Sequence, residues 1–345
     1  MKTTTDLGSV TSEKVEVTAA VVSRRERSAR FAQRNGALLV LLGLGLVMSL
    51  TFDSFGTASN LSQIAQQASF YSLLALGMTF VIFTGGIDLS VGSVFALGGV
   101  LGAWGASHNP LLGLVLPLAV CGLFGLVQGT IVARTAVPAF IVTLAGLLFA
   151  RGLLLVLTDE GAITFKVPEG SWFLTLAQGS FLGLGYTVWL AVLLFAAGML
   201  VQYRTSYGST LLAIGGQPLA ADLMGLPVAR SKMIAYTASG MLAGLAGALT
   251  ASYTASGVTT LGVGLELTAI SAVVLGGTAL MGGSGSVLGS LVGMLLLQVI
   301  ANLINRLGLT DSNWQAVVNG AVLIVVATAQ IYLSRVQARP RKAIG

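Results

Sequence analysis

The sequence contains very little charge, one cysteine and one histidine. Charged residues make up 9% of the 345 residues, whereas hydrophobic residues make up 55%. A soluble domain of this length needs far more surface charge, so the composition excludes an ordinary soluble protein. Cys121 alone excludes a disulfide within the chain, and His108 lies in a turn-like Ser-His-Asn-Pro stretch. We therefore expect no metal site.

Motifs for catalysis and nucleotide binding are absent from the sequence. It contains no G-x-x-x-x-G-K-[ST] loop, no G-x-S-x-G elbow and no H-E-x-x-H pair. The stretch Gly282–Ser286 is rich in glycine but lacks the lysine of a phosphate-binding loop. The apolar runs also lack the ladder of acidic residues that a proton-driven pump needs. We expect no catalytic residues and no cofactor, and a nearly charge-free interior favours a neutral polar cargo.

Long apolar runs are abundant, and ten of them are long enough to cross a bilayer as helices. They predict an all-α polytopic transmembrane bundle. The run at 267–281 is the weakest of these predictions, because it is short and interrupted by glycines. The approximate spans are 36–52, 64–84, 88–107, 111–131, 138–157, 183–202, 233–252, 267–281, 286–305 and 315–334.

The positive charges predict the orientation of the chain. With the N-terminus inside, all but three of the 18 lysines and arginines fall on the inner side. Both termini are therefore expected in the cytoplasm. This gives a basic cytoplasmic tail at 1–35, a membrane-spanning domain at 36–334 and a second basic tail at 335–345. Neither tail interleaves aromatic residues with its basic ones, which favours contact with anionic membrane lipid over nucleic acid.

The stretch Thr84–Ser93, TGGIDLSVGS, interrupts the apolar sequence with two glycines and an aspartate. Backbone groups freed by such a break are tolerated at membrane depth only inside protein or against a wet cavity. Asp88 either caps a helix that begins at Leu89 or belongs to a transport pathway. The pattern GGxxLxxGS recurs at Gly276–Ser284. The recurrence is either a chance echo in a glycine-rich chain or a repeat whose broken helices meet near a pathway.

Arg151 lies about 13 residues into its span, too deep for an anchor of the inner loop. It either snorkels to the outer headgroups, forms a structural ion pair or contacts an outer vestibule. Together with the two glycine stretches it completes a candidate translocation pathway or gate. The candidate residues are Gly85, Gly86, Asp88, Ser90, Ser93, Arg151, Gly276 and Gly277.

The long inner connection, residues 203–232, contains a predicted short helix at 216–225. Pro218 suits the first helical turn, and Gly225 suits the position just after the helix. The apolar side of this helix has nothing of its own to pack on, so it lies either on the membrane surface or in a groove of a partner. The residues expected to dock are Pro218, Ala220, Ala221, Asp222, Leu223, Met224 and Gly225.

From about residue 36 to 334 the chain resembles the ribose, xylose and galactose class of bacterial ATP-binding cassette (ABC) transporter permeases. The match is most specific in GGIDLSVGS. The other stretches that carry it are Leu76–Thr79, Pro138–Leu144 with Arg151-Gly152, Gly208 with Ala213–Gly216 and Ala220–Gly225, and Ala272–Thr278. The resemblance implies a bundle like that of type II importers, with broken helices, in the bacterial inner membrane.

The resemblance also implies a function and partners. The chain would form the pathway for a monosaccharide or a related small neutral polyol, paired with an identical or paralogous second permease. A cytoplasmic ATP-binding subunit would dock at 216–225 and supply ATP hydrolysis, so the chain itself would not be an enzyme. A periplasmic sugar-binding protein would be received by the outer loops, especially 158–182. The main alternative is a self-contained secondary transporter or channel, and a membrane-embedded enzyme is third.

Overall fold

The structure, a computed structural model, describes residues 24–309 and 312–338. Most of both predicted tails, 1–23 and 339–345, lies outside the described residues. The helices are α1 (Arg24–Thr51), α2 (Ala58–Phe83), α3 (Val91–His108), α4 (Leu112–Arg134), α5 (Ala139–Leu157), α6 (Trp172–Gln178), α7 (Tyr186–Arg204), α8 (Ser206–Gly216), α9 (Pro218–Leu223), α10 (Val228–Thr254), α11 (Leu265–Leu275), α12 (Val287–Arg306) and α13 (Ser312–Ala338). Strands β1 (Ser180–Phe181) and β2 (Leu184–Gly185) form a small antiparallel hairpin.

The all-α polytopic architecture predicted from the apolar runs is confirmed. Six helices of the described chain, namely α2, α4, α5, α7, α10 and α12, are long and apolar enough to span a membrane. Shorter apolar stretches lie in α1, in α11 and in α13. Every predicted span overlaps a helix, but the count of ten crossings remains a prediction. Helices α1 and α13 also extend beyond the predicted apolar runs 36–52 and 315–334.

Helix α10 occupies the centre of the bundle, between α2, α3 and α4. Glycines allow this close packing. A Cβ atom at Gly98 of α3 would lie 2.6 Å from the Cα atom of Gly244 on α10, and one at Gly77 of α2 would lie 2.8 Å from the Cα atom of Ser239. Small residues at helix crossings permit the backbone approach that stabilises helix pairs in lipid.

Helix α11 is short, and an irregular segment precedes it. Residues 256–264, here called the re-entrant segment, run beside α3 before α11 begins. Gly257 packs against Val100, and Gly262 packs against the main chain of Gly92. These contacts lie about 12 Å apart along α3. The helix within the predicted span 267–281 stops at Leu275, so the last residues of that span are irregular backbone, and the crossing itself stays a prediction.

The connection 158–182 is tied to the end of α10 and to the re-entrant segment. The amide of Val167 donates to the carbonyl oxygen of Ala255 (2.9 Å), and the amide of Gly257 donates to that of Phe165 (2.9 Å). Gln178, at the end of α6, lies within hydrogen-bond distance of the carbonyl oxygens of Ser252 and Tyr253. This connection is thus a structured cover over the end of α10.

Candidate translocation and docking site

The first break in the helices begins where α2 ends. The amide of Gly85 donates to Ile82 (2.9 Å), and the amide of Gly86 donates to Val81 (3.3 Å). Gly85 has a φ of +76°, which is the left-handed conformation expected just after a helix that ends in this way. The next helix begins at Val91 and not at Leu89, which corrects the predicted start. The Ser90 amide instead donates to Oδ1 of Asp88 (3.0 Å), closing a turn that keeps both residues outside α3.

Asp88 is buried, with 3% of its surface exposed, and it connects three elements. Its Oδ1 atom also accepts a hydrogen bond from the Ser90 hydroxyl (2.6 Å), and Oδ2 accepts one from the Ser239 hydroxyl on α10 (2.9 Å). The Ser90 hydroxyl in turn accepts from the side-chain amide of Gln128 on α4 (3.1 Å). The carboxylate therefore binds the break to α10 directly and to α4 through Ser90.

Tyr236 of α10 lies against the same break. Its side chain is fully buried, and among the described residues its hydroxyl has no hydrogen-bond partner. A Cβ atom on Gly86 would lie 2.5 Å from that hydroxyl oxygen. Sequence reasoning missed Tyr236, together with Gln128 and Ser239. The available signal was a polar side chain inside an otherwise apolar run, although nothing in the run indicated which element it would face.

The second break repeats the helix ending of the first. The amide of Gly277 donates to Val274 (3.0 Å) and that of Thr278 to Val273 (3.2 Å), and Gly277 has a φ of +87°. The sequence echo aligns Gly85 with Gly276, but the residue equivalent to Gly85 in conformation is Gly277. Helix α12 begins only at Val287. The two breaks are therefore alike at the ends of α2 and α11, and they differ at the starts of α3 and α12. The predicted breaks are confirmed, and the repeat remains a prediction.

The two breaks meet each other and the end of α8. The amide of Gly283 donates to the carbonyl oxygen of Phe83 (3.3 Å). A Cβ atom at Gly282 would lie 2.6 Å from the amide nitrogen of Gly85, and one at Gly283 would lie 2.7 Å from the Cα atom of Gly216. Gly215 of α8 packs on the carbonyl oxygen of Phe83 and the amide nitrogen of Gly283. We call these contacts the glycine junction. Its glycines, required by packing or by a positive φ, are Gly85, Gly215, Gly282 and Gly283, whereas Gly216 contributes only main-chain atoms that any residue would supply.

The other predicted pathway residues lie outside the junction. Gly276 packs against the main chain of Gly289 on α12, and Ser93 is buried within α3. Arg151 projects from α5 to the re-entrant segment. Its Nη1 atom donates to the carbonyl oxygen of Thr259 (2.8 Å), and Nη2 donates to that of Leu261 (3.3 Å). These hydrogen bonds join α5 to the re-entrant segment, and the choice among snorkelling, a structural ion pair and a vestibule contact stays a prediction.

The short helix predicted at 216–225 is confirmed as α9, with tighter bounds. Pro218 occupies its first turn, and Gly216 belongs to α8. Gly225 has a φ of +76°, its amide donates to Asp222 (2.8 Å), and the Leu226 amide donates to Ala221 (3.1 Å). This pattern closes the helix just after Met224.

The face of α9 that points away from the bundle is apolar and exposed. Ala221 is buried beneath the helix, whereas Leu219, Leu223 and Met224 are 69%, 82% and 69% exposed. The preceding helix, α8, is held firmly, because Leu211 and Ile214 are buried and the Tyr207 hydroxyl donates to the carbonyl oxygen of Ser231 (3.1 Å). Burial also raises the pKa of the Tyr207 phenol. An exposed apolar helix on a well-packed base is suited to docking.

Comparison with known proteins gives consistent matches. A family model described as "Branched-chain amino acid transport system / permease component" matches residues 60–327. The ribose import permease protein of Escherichia coli K12 is 38% identical over 314 residues, which cover 89% of this chain and 97% of that protein. The L-arabinose ABC transporter permease protein of Azospirillum brasilense is 33% identical over 318 residues, covering 91% and 93%. No solved structure matches the chain.

Proposed function

The chain belongs to the ABC transporter permease components of the family matched above, and on this premise we propose that it forms the sugar pathway of a bacterial importer. It is a membrane-spanning transport subunit and not an enzyme. The named relatives import ribose and L-arabinose, and the cargo proposed here is correspondingly a monosaccharide or a related small neutral polyol. A self-contained secondary transporter or channel fits these relatives poorly.

The partners follow from the same premise. A cytoplasmic ATP-binding subunit supplies the driving force, a periplasmic binding protein delivers the sugar, and a second copy or a paralogue of the chain completes the pathway. The observation that carries the assignment is the exposed apolar side of α9, formed by Leu219, Leu223 and Met224. This surface is best suited to fit into a groove of the ATP-binding subunit. The other residues of the docking helix set its shape, and they are Pro218, Ala220, Ala221, Asp222 and Gly225.

The pathway residues divide into two roles under this proposal. Asp88 and Ser90, with Gly85 and Gly86, form a gate element at the first break, and Gly276 and Gly277 form its counterpart at the second. Ser93 lies in the first turn of α3 and moves with the first break. Arg151 supports the outer vestibule by holding the re-entrant segment. Both charged side chains are engaged by protein groups, which suits a neutral cargo.

The proposed placement puts the chain in the bacterial inner membrane with both termini in the cytoplasm. The break at 84–90, α8, α9 and the break at 276–286 then share the cytoplasmic side, and 158–182 and the re-entrant segment share the outer side. The domain limits stay as predicted, with a membrane-spanning domain at 36–334 between the tails 1–35 and 335–345. Transport proceeds by alternation between outward-open and inward-open states, to which ATP and sugar bind with different affinities.

Affinity purification of the tagged chain from native membranes tests the assignment. We expect an ATP-binding subunit in roughly equal amount, lost in Leu223→Asp and retained in the control Leu182→Asp. Leu182 is 76% exposed and lies in the hairpin on the opposite side, so both variants add a charge at an exposed leucine. A partnerless chain that moves sugar across liposomes would show that the secondary-transporter alternative is correct.

A further inference from the structure

Three backbone segments meet in the glycine junction without side chains between them. They are the end of α8, the turn after α2 and the loop after α11. Gly215 packs directly on the carbonyl oxygen of Phe83 and the amide nitrogen of Gly283. Gly283 in turn donates its amide to Phe83, so each segment contacts the other two.

Glycine is required here for packing as well as for conformation. A Cβ atom at Gly215 would overlap main-chain atoms of both neighbouring segments, and main-chain atoms cannot rotate away as a flexible side chain does. Gly282 and Gly283 additionally have φ values of +84° and +77°. In contrast, a Cβ atom at Gly216 would meet nothing within 4 Å, although Gly216 is the adjacent residue.

The junction is connected directly to the docking helix. Helix α8 ends at Gly216, and Gln217 alone separates it from α9. A displacement of α9 therefore reaches the junction over a few residues of packed helix. Close-packed main chain has low compressibility and transmits displacement instead of absorbing it. A longer side chain between these segments could change rotamer and would then absorb part of the displacement of α9.

We propose that the glycine junction transmits the movement of α9 to both helix breaks, and that the three segments move as one body. Gly215 is thus a positioning residue for transport, acting through Phe83 and Gly283 and not by touching cargo. This inference rests on the proposed function, since it needs an ATP-binding subunit docked on α9. It adds the mechanical link between the docking helix and the gate elements at Gly85 and Gly277.

The first experiment compares Gly215→Ala with the neighbouring control Gly216→Ala in the complete reconstituted importer. The readouts are the recovery of the ATP-binding subunit, the rate of ATP hydrolysis and the sugar moved per ATP. For Gly215→Ala we expect normal recovery of the partner and at least about a tenfold loss of sugar moved per ATP. Gly216→Ala should transport like the wild type. An unchanged ratio in Gly215→Ala would overturn the proposal.

A cross-link tests the junction without altering a packed glycine. Gln217 and Met281 are both exposed, one just after α8 and the other in the second break, and the native Cys121 is buried. Cysteines at positions 217 and 281 are joined by a short bis-methanethiosulfonate reagent. Each cysteine thiolate displaces methanesulfinate and forms a reducible disulfide with the linker, which ties the two segments together. We expect transport to continue in the cross-linked complex, as in the single-cysteine controls. Loss of transport that returns on reduction would show that the segments separate, and would overturn the proposal.

The two hypotheses fail in different ways. If no ATP-binding subunit is recovered with the wild-type chain, the proposed function fails. If that subunit is recovered with both variants and the sugar moved per ATP is equal, only the role of the glycine junction fails.

Discussion

The guanidinium group of Arg151 lies 2.8 Å from the carbonyl oxygen of Thr259, across 108 residues of sequence. Its second terminal nitrogen reaches the carbonyl oxygen of Leu261. Carbonyl groups of irregular backbone have no helical partner, and burying such a group in an apolar surrounding without a donor costs free energy. One side chain from α5 therefore satisfies two of these groups and fixes the position of the re-entrant segment against the bundle.

Replacing Arg151 should loosen the re-entrant segment. Arg151→Ala leaves the two carbonyls without their donor, and each lost partner costs about 1–3 kcal/mol. We expect a lower midpoint of thermal unfolding in detergent than for the control Arg134→Ala, because Arg134 is exposed at the end of α4. Equal midpoints for the two variants would contradict the anchoring role.

Asp88→Asn tests the gate element at the first break. The asparagine keeps the size of the side chain but weakens the charge-assisted hydrogen bonds from Ser90 and Ser239, which are about twice as strong as neutral ones. We expect transport to collapse at near-normal abundance in the membrane. Transport per molecule equal to the wild type, with slightly lower abundance, would mean that Asp88 only caps the turn. Ser239→Ala serves as the control that removes a single hydrogen bond.

Gly86 and Tyr236 should behave as a coupled pair. Gly86→Ala places a methyl group against the Tyr236 hydroxyl and should lower stability. Tyr236→Phe alone should be neutral or stabilising by about 1 kcal/mol, because the buried hydroxyl lacks a partner among the described residues. The double variant should recover most of the loss, which denaturant unfolding of all four proteins measures. Additive effects would indicate that Gly86 is needed for its conformation and not for this contact.

Gln202 of α7 should stabilise the second break. Its amide nitrogen donates to the carbonyl oxygen of Gly285 (2.8 Å), and its carbonyl oxygen accepts from the amide of Val287 (2.9 Å). Gln202→Glu replaces the donor with a carboxylate oxygen facing a carbonyl, so we expect a loss of about 1–3 kcal/mol. Gln217→Glu, at an exposed position, is the matched control for the added charge. Faster limited proteolysis between residues 276 and 286 in Gln202→Glu alone would support this role, and equal rates would contradict it.

The apolar runs alone were enough to predict a polytopic helical bundle. A helix that crosses lipid must satisfy its own backbone and needs about 20 apolar residues, and both requirements are local. Local signals also predicted α9, because proline and glycine limit a short helix by their own backbone preferences. The two breaks were found for the same reason, since Gly85 and Gly277 adopt conformations that favour glycine.

The neighbours of these elements were decided only by the tertiary structure. Asp88 binds Ser239 across 151 residues, and in lipid every face of a helix is apolar, so periodicity does not reveal which face is buried. The re-entrant segment resembles a loop in sequence, and no local signal shows that two of its carbonyls bind Arg151, which lies more than a hundred residues away. The contact of Gly215 with Phe83 and Gly283 left no pattern either, since it joins main-chain atoms that all residues share. The sequence thus determined that the chain forms apolar helices and where two of them are broken, because those signals are local, and long-range packing decided what the breaks hold together.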